Sequence, residues 1–228
     1  MADLDSLRVR FAAALTGARG DGDGPDPLRY TDPLRYADPL PYADDLLARW
    51  QEPQRRYHTA THLTAVLDHV DGPLAGHAGD LDVVRLAVWF HDAVYRPERE
   101  ENEERSARLA ERALTEAGLA PGKVAEVARL VRLTVTHAPG DDDPDGQVLC
   151  DADLAILAAP PSAYAAYTAA IREEYAFVPP DAFRTGRTVV LVQFLALPVL
   201  FHTPYGREHW ERTARYNMAA ELEMLSPG

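Results

Sequence analysis

Two histidines stand four residues apart in the segment Tyr57-His58-Thr-Ala-Thr-His62. On a helix this spacing places both imidazoles on one face, about 5–6 Å apart at Cβ. One ring could then bind a metal ion while the other faces a substrate. Histidine pairs at this spacing also occur by chance on surface helices, so the pair alone does not define a site.

A His-Asp dipeptide ends an apolar stretch in Trp89-Phe-His91-Asp92. Burying a polar or charged side chain is costly unless it has a partner. A metal ion would be a partner for both side chains, because neutral imidazole and carboxylate are suitable ligands for several divalent ions. The alternative is that His91 and Asp92 lie in solvent at a helix end, and the apolar flank argues against it.

Two further acids precede an apolar run in Cys150-Asp151-Ala-Asp153-Leu. An aspartate at a helix start often caps the helix and complements its dipole. Asp151 could do this alone. Asp153, next to apolar residues, then needs another role.

Taken in order, these segments read His, His-Asp and Asp, and they resemble the HD-domain superfamily of metal-dependent phosphohydrolases. The gaps are 29 residues from His62 to His91 and 61 residues from Asp92 to Asp153. The similarity extends from about residue 55 to the C-terminus and is strongest to a small bacterial subgroup of predicted metal-dependent HD phosphohydrolases. Further blocks that match this subgroup are Asn102-Glu103, Ser106-Ala107, Thr136-His137 and Gly186-Arg187.

The resemblance implies that one metal ion is bound by His62, His91, Asp92 and Asp153. In relatives the last ligand is usually the acid in an Ala-Asp-x context, which favours Asp153 and leaves Asp151 as a helix cap or as a partner of a ligand. His58 is a candidate general acid, because Tyr-His-x-x-x-His is similar to the opening motif of cyclic-nucleotide phosphodiesterases, which are also HD proteins. An imidazole titrates near neutral pH and can protonate a departing alkoxide.

A phosphate also needs donors or cations that neutralise charge in the transition state. The candidate substrate-binding residues are Arg56, His137, Arg184 and Arg187. For each arginine the alternative is a surface ion pair. Asp92 is a second catalytic candidate, since it could hydrogen-bond the attacking water. Glu103 could orient a ligand, or it could simply occupy the first turn of a helix, where an acid is favoured.

The implied activity is hydrolysis of a phosphomonoester or phosphodiester of a small molecule, with a nucleotide as the expected substrate. The cofactor would be a divalent transition metal such as Mn, Fe, Co, Ni or Zn, and Mg is also suited. One alternative is a mixed-metal, di-iron oxygenase of the HD type. It requires extra histidines between Asp92 and Asp153, where only His137 occurs, although a dinuclear site bridged by Asp92 stays open. Another alternative is a non-catalytic nucleotide-binding regulatory module, against which an intact ligand set argues.

Hydrophobic periodicity predicts an all-α protein, and the resemblance implies an HD-domain-like bundle of about 8–10 helices. Residues 140–146 are expected to form a loop, and no segment alternates like a strand. The predicted helices are 3–18, 43–51, 58–70, 81–94, 102–117, 121 to about 137, 151–157, 162–177, 181–200 and 207–225.

Residues 1–42 are predicted to form an N-terminal extension to a hydrolase domain at 43–228. The extension would hold one helix and a Pro/Tyr-rich loop with three related units: Asp-Pro-Leu-Arg-Tyr at 26–30 and 32–36, and Asp-Pro-Leu-Pro-Tyr at 38–42. A docking role for the tyrosines of this repeat is the alternative to an inserted loop.

The 228 residues carry 23 basic and 36 acidic side chains, a formal net charge of −13. This charge argues against binding of bare nucleic acid but does not exclude a small phosphorylated substrate. The single cysteine excludes a disulfide within the chain, and the N-terminus does not resemble a secretion signal. The longest apolar run, 189–201, is shorter than the roughly 20 residues that span a membrane, so no membrane partner and a cytoplasmic location are expected. The same run could serve as core or as the seam of a homodimer.

Overall fold

The computed structural model describes residues 2–20 and 37–225, and within these ranges it is helical and contains no strand. The prediction of an all-α fold is confirmed. Eleven α-helices occur here, because the predicted last helix is divided at Trp210. They are α1 Leu4–Arg19, α2 Pro39–Trp50, α3 Ala60–Asp71, α4 Leu81–Phe90, α5 Asn102–Glu116, α6 Pro121–Leu133, α7 Pro144–Leu154, α8 Pro161–Glu174, α9 Pro180–Ala196, α10 Pro204–His209 and α11 Glu211–Leu225. Short 3-10 helices are formed by Ala75–His77 and Ala155–Ala158.

Proline marks the first helical position of α2 and α6 to α10. The missing N–H of proline costs nothing there, and its φ is already helical. The prediction that α7 starts at Asp151 is wrong, because the helix begins at Pro144, in agreement with this preference of proline. Asp143 caps α7 by accepting from Gly146 N, so part of the predicted loop is helical and Asp151 is not a cap.

The helix that carries His62 also begins later than predicted. Thr59 caps α3 by accepting from Thr61 N, and the first helical residue is Ala60. His58 therefore precedes the helix, and the expectation that His58 and His62 share one helix face is wrong. Both rings still meet, with centroids 5.6 Å apart, because the chain before α3 folds back over the helix start.

The large hydrophobic core is built from α1 to α7, with α4 at its centre. Every residue of α4 from Leu86 to Phe90 is fully buried. The N-terminal helix α1 packs against α2 and α4 through Leu7, Phe11 and Leu15, so it belongs to the same core as the later helices. The third repeat unit, 38–42, contains the start of α2, whereas the units at 26–30 and 32–36 lie outside the described residues.

A smaller core joins the end of α7 to α8, α9 and α11, around Tyr164, Phe201 and Met218. The helix α9 contributes little to it, since Leu191 is its one buried residue. The apolar run 189–201 is thus divided: Leu200 and Phe201 are core residues, and the valines of α9 are exposed.

Within residues 2–20 and 37–225, no single helix has the length and apolar composition needed to cross a membrane. The pair Pro144–Ala158 and Pro161–Glu174 meets both criteria only when taken together, across a bend of 103°.

Candidate metal centre

Three side chains that can bind metal ions meet where the start of α3 faces the end of α4. One ligand atom each from His62, His91 and Asp92 lies within 4.8 Å of the other two. His62 Nε2 is 3.3 Å from His91 Nε2, and Asp92 Oδ2 is 3.2 Å from His91 Nε2. This group could hold a metal ion.

Asp153, at the end of α7, reaches the same point. Its Oδ1 is 3.1 Å from His62 Nε2 and 3.6 Å from His91 Nε2. Two atoms that bind one ion at roughly 2.1 Å are themselves roughly 3.0–3.4 Å apart, so these separations suit a shared cation. The structure therefore brings together all four residues that the sequence nominated as ligands.

The imidazole of His91 is held in the tautomer that a ligand needs. Its Nδ1 lies 2.8 Å from the carbonyl oxygen of Val88, so Nδ1–H donates to that carbonyl and Nε2 is the ring nitrogen that faces the cluster. The indole of Trp50 packs against the His62 and His91 rings, with centroids 6.1 and 5.5 Å away. Trp50 is fixed in turn by donating to the carbonyl of Trp89. The ligand rings are thus oriented by the large core.

The electrostatics of the cluster call for positive charge. Burial lowers the pKa of His91, but the Asp92 and Asp153 carboxylates outweigh it and raise that pKa well above its usual value. At His62 burial prevails and lowers the pKa. Burial would raise the pKa of Asp92 and of Asp153, yet the neighbouring imidazoles lower both. Two buried carboxylates that stay ionised need a cation beside them, which either the protonated His91 imidazole or a metal ion could supply.

His58 lies next to the cluster and turns its Nε2 toward Asp92, with 3.9 Å between Nε2 and Oδ2. Its Nδ1 is 2.7 Å from Glu174 Oε2. Burial lowers the pKa of His58, but the Asp92 charge and the hydrogen bond to Glu174 outweigh it, so this pKa is raised.

Glu174, which holds His58, was not predicted as a site residue. Its side chain is fully buried at the end of α8, and Oε1 accepts from the backbone N–H groups of Arg56, Tyr57 and His58 at 2.8–2.9 Å. Oε2 accepts from the Tyr95 hydroxyl at 2.9 Å. Burial opposes ionisation, but hydrogen bonds and charge from His58 lower the pKa of Glu174 to about 2. No sequence signal marks this residue, because 116 positions separate it from His58.

Of two adjacent arginines, Arg55 rather than the predicted Arg56 is built into the site. The buried Arg55 guanidinium donates to the carbonyls of His58 and Asp92, both at 2.9 Å. It lies over the rings of Trp50 and Tyr95, and burial lowers its pKa. Arg56 is half exposed and donates to backbone carbonyls at 53 and 55. Arg55 thus ties the turn that carries His58 to the turn that carries Asp92.

The remaining predicted residues divide between the site and the surface. His137 Nε2 is 2.8 Å from Asp153 Oδ2, and His137 is the one non-glycine residue with positive φ (48°) in the described part of the chain. Arg187 lines the cavity beside the cluster. Arg184 forms an exposed pair with Asp181 instead. Glu103 lies in the first turn of α5, and its side chain makes no hydrogen bond or ion pair with the described residues.

Asp151 is fully buried but faces away from the cluster. It accepts from His202 N, Thr203 N and Thr203 Oγ1, at 2.6–2.8 Å. Burial raises its pKa against these hydrogen bonds. The expectation that Asp151 caps a helix is wrong: it fastens α7 to the chain segment before α10.

No family model, curated protein or solved structure matches the chain.

A cavity of about 510 Å³ opens beside the cluster, with His58, His137 and Asp153 in its wall. A second cavity, of about 650 Å³, reaches His62 and Asp153 from the other side and does not include His58. A third cavity, of about 810 Å³, lies near the start of α1 and contains none of the four candidate ligands. Of these three cavities, only the first has both a residue of the cluster, Asp153, and the candidate general acid, His58, in its wall.

Proposed function

We propose that the protein is a metal-dependent hydrolase of phosphate esters and that His62, His91, Asp92 and Asp153 hold its metal ion. The observation that carries this proposal is the approach of these four side chains, with measured N–N and N–O separations of 3.1–4.0 Å. A divalent ion held by these residues would polarise a phosphoryl oxygen and lower the pKa of bound water.

His58 is the proposed general acid. Glu174 binds its Nδ1 and leaves Nε2 directed toward Asp92 and the cavity. From this position Nε2–H donates a proton to the oxygen that leaves the phosphorus, which avoids release of an alkoxide. Asp92 Oδ2 lies 3.9 Å from His58 Nε2, and this carboxylate is placed to accept a hydrogen bond from the attacking water.

Arg55 and His137 position these groups. Arg55 holds the carbonyls of His58 and Asp92, and so fixes the distance between the acid and the cluster. His137 holds the outer oxygen of Asp153 and leaves Oδ1 directed toward His62 and His91. Such orienting partners typically change metal affinity or activity by about 10–100-fold when removed.

The test combines metal analysis with phosphate release. Purified protein is assayed for bound Mn, Fe, Co, Ni, Zn and Mg, then with 4-nitrophenyl phosphate, bis(4-nitrophenyl) phosphate and a panel of nucleotides. We expect activity that disappears on chelation and returns with one of these ions. His91→Ala should lose both the ion and the activity, whereas His209→Ala, at a half-exposed position on α10, should lose neither. Full activity in metal-free protein or in His91→Ala would refute the proposal.

A further inference from the structure

Apart from Arg187 and the tyrosine hydroxyls, the cavity that contains His58 is polar only at the end nearest the cluster. Its other walls come from α8, α9 and the segments before them, and they are apolar: Leu157, Ile171, Val178, Phe183, Val190 and Phe194. Tyr57 and Tyr167 also line it, with ring centroids 4.7 Å apart. Both phenols are uncharged at neutral pH. Apart from Arg187, a ligand in this cavity meets charged side chains only at the cluster end.

Positive charge is scarce in the cavity wall. Arg187 is the one Arg or Lys among its lining residues in the described ranges. Both Glu221 oxygens bind that guanidinium, at 2.7 and 3.0 Å, and the two side chains are only 9% and 8% exposed. A bidentate carboxylate already satisfies this arginine, so little of its charge is left for a ligand.

Polyphosphate substrates need more cations than this wall provides. Enzymes that act on nucleoside triphosphates use lysine or arginine in addition to metal ions to neutralise the phosphates. The other two predicted arginines do not line this cavity, since Arg56 lies outside it and Arg184 pairs with Asp181. A chain of phosphates would therefore leave several negative charges unpaired beside Asp153 and Glu221.

We propose that the substrate is an ester of a single phosphoryl group with an uncharged, apolar alcohol, aromatic or branched aliphatic. This inference rests on the proposed function and narrows it. The phosphoryl group lies at the His58 and Asp153 end, and the apolar group packs between α8 and α9. Burial of an apolar group of phenyl size favours binding by about thirtyfold or more.

The test compares alcohols of matched chemical reactivity. The substrates are 2-phenylethyl phosphate and ethyl phosphate, each as the monoester and as the methyl diester, together with AMP and ATP. Both alcohols are primary and leave with similar ease, so a difference in kcat/KM reports contact with the alcohol part. We expect kcat/KM to be at least about thirtyfold higher for the phenylethyl ester than for the ethyl ester. AMP and ATP should be slower than the phenylethyl ester.

Two variants on one helix locate the apolar contact. Val190 lines the cavity, and Val192 does not, although the two side chains are exposed to a similar degree, 38% and 49%. Val190→Lys should reduce the phenylethyl preference by about tenfold or more, because it places a charge against the apolar group. Val192→Lys should keep the preference.

Three results would overturn the inference: a preference for ATP, equal rates with the two alcohols, or equal effects of the two lysine variants. Each of these leaves metal-dependent phosphohydrolase activity standing, since an ester or, with ATP, a phosphoanhydride is still hydrolysed. Absence of any cleavage by metal-loaded protein would instead contradict the proposed function itself, and the inference with it.

Discussion

The four-residue metal cluster and the network around Glu174 use similar side chains but differ in their balance of donors and acceptors. In the cluster, His62 Nε2 and His91 Nε2 face each other and two carboxylates. Around Glu174, three backbone N–H groups, one phenol and one imidazole surround a single carboxylate. The first group gathers potential metal ligands and could hold a cation, whereas every oxygen of the Glu174 carboxylate already accepts hydrogen bonds. Under the proposed function, this difference in surroundings separates the histidines that bind the metal ion from the one that donates a proton.

Among variants that test the difference between the cluster and the Glu174 network, His58→Ala is expected to reduce turnover most. Removal of a general acid typically slows a reaction by about 100-fold or more. Bound metal should stay unchanged, because His58 belongs to the Glu174 network. The measurement is kcat together with metal content per chain, and His209→Ala serves as the control. Metal loss in His58→Ala would make His58 a ligand and erase the distinction between the two groups.

Glu174→Gln is expected to have the next largest effect, on both activity and stability. The amide keeps the shape but removes the charge that holds His58, so kcat should fall by about tenfold while metal stays bound. The pKa of Glu174 is lowered to about 2 from an ordinary value of 4.5, which corresponds to at most about 3 kcal/mol of stability at pH 7.

The pH dependence of that stability has a definite sign. A carboxylate with a lowered pKa stabilises the fold fully above its unfolded value, and the contribution is lost as pH falls from about 4.5 toward 2. The difference in unfolding free energy between the natural protein and Glu174→Gln should therefore narrow in this range. Glu173→Gln, whose side chain is 67% exposed, is the control and should show no such change. A difference independent of pH would show that the charge of Glu174 is not what matters.

The sequence allowed prediction of which candidate metal ligands lie together, because their types and order form a pattern that does not depend on exact helix ends. His62, His91, Asp92 and Asp153 meet although the start of α7 was misplaced by seven residues. Hydrophobic periodicity predicted that the helices exist. Their first residues are marked by proline and by capping side chains, which hydrophobic periodicity does not take into account.

The supporting residues could not be predicted in the same way. Arg55 and Arg56 are chemically identical neighbours, and only the fold decides which one is buried under the rings of Trp50 and Tyr95. Glu174 ends a helix with an ordinary charged pattern, and its role depends on a contact with the turn before α3. Such roles arise from tertiary packing, which one sequence does not display.

Asp151 and Asp153 provide a sharper test, since they lie two residues apart on α7 and face different partners. Asp151→Ala leaves two backbone N–H groups and one hydroxyl without their acceptor, so the free energy of unfolding should fall by about 3 kcal/mol. Activity and bound metal should change little below the unfolding temperature. Asp153→Ala should instead lose metal and activity, with a smaller change in the free energy of unfolding. Calorimetry with metal analysis distinguishes them, and metal loss in folded Asp151→Ala would reassign the ligand.

The smallest effect is expected from Arg184→Ala, at a position that the sequence nominated for substrate binding. Arg184 pairs with Asp181 three residues away, and the two side chains are 47% and 87% exposed. Exposed pairs of this kind contribute about 0–1 kcal/mol, so kcat/KM should stay within about twofold and the melting temperature should barely move. A much larger loss of kcat/KM would mean that Arg184 turns toward the substrate. The cavity beside the cluster would then be less poor in cations than its walls indicate, and phosphate-rich substrates would become the better expectation.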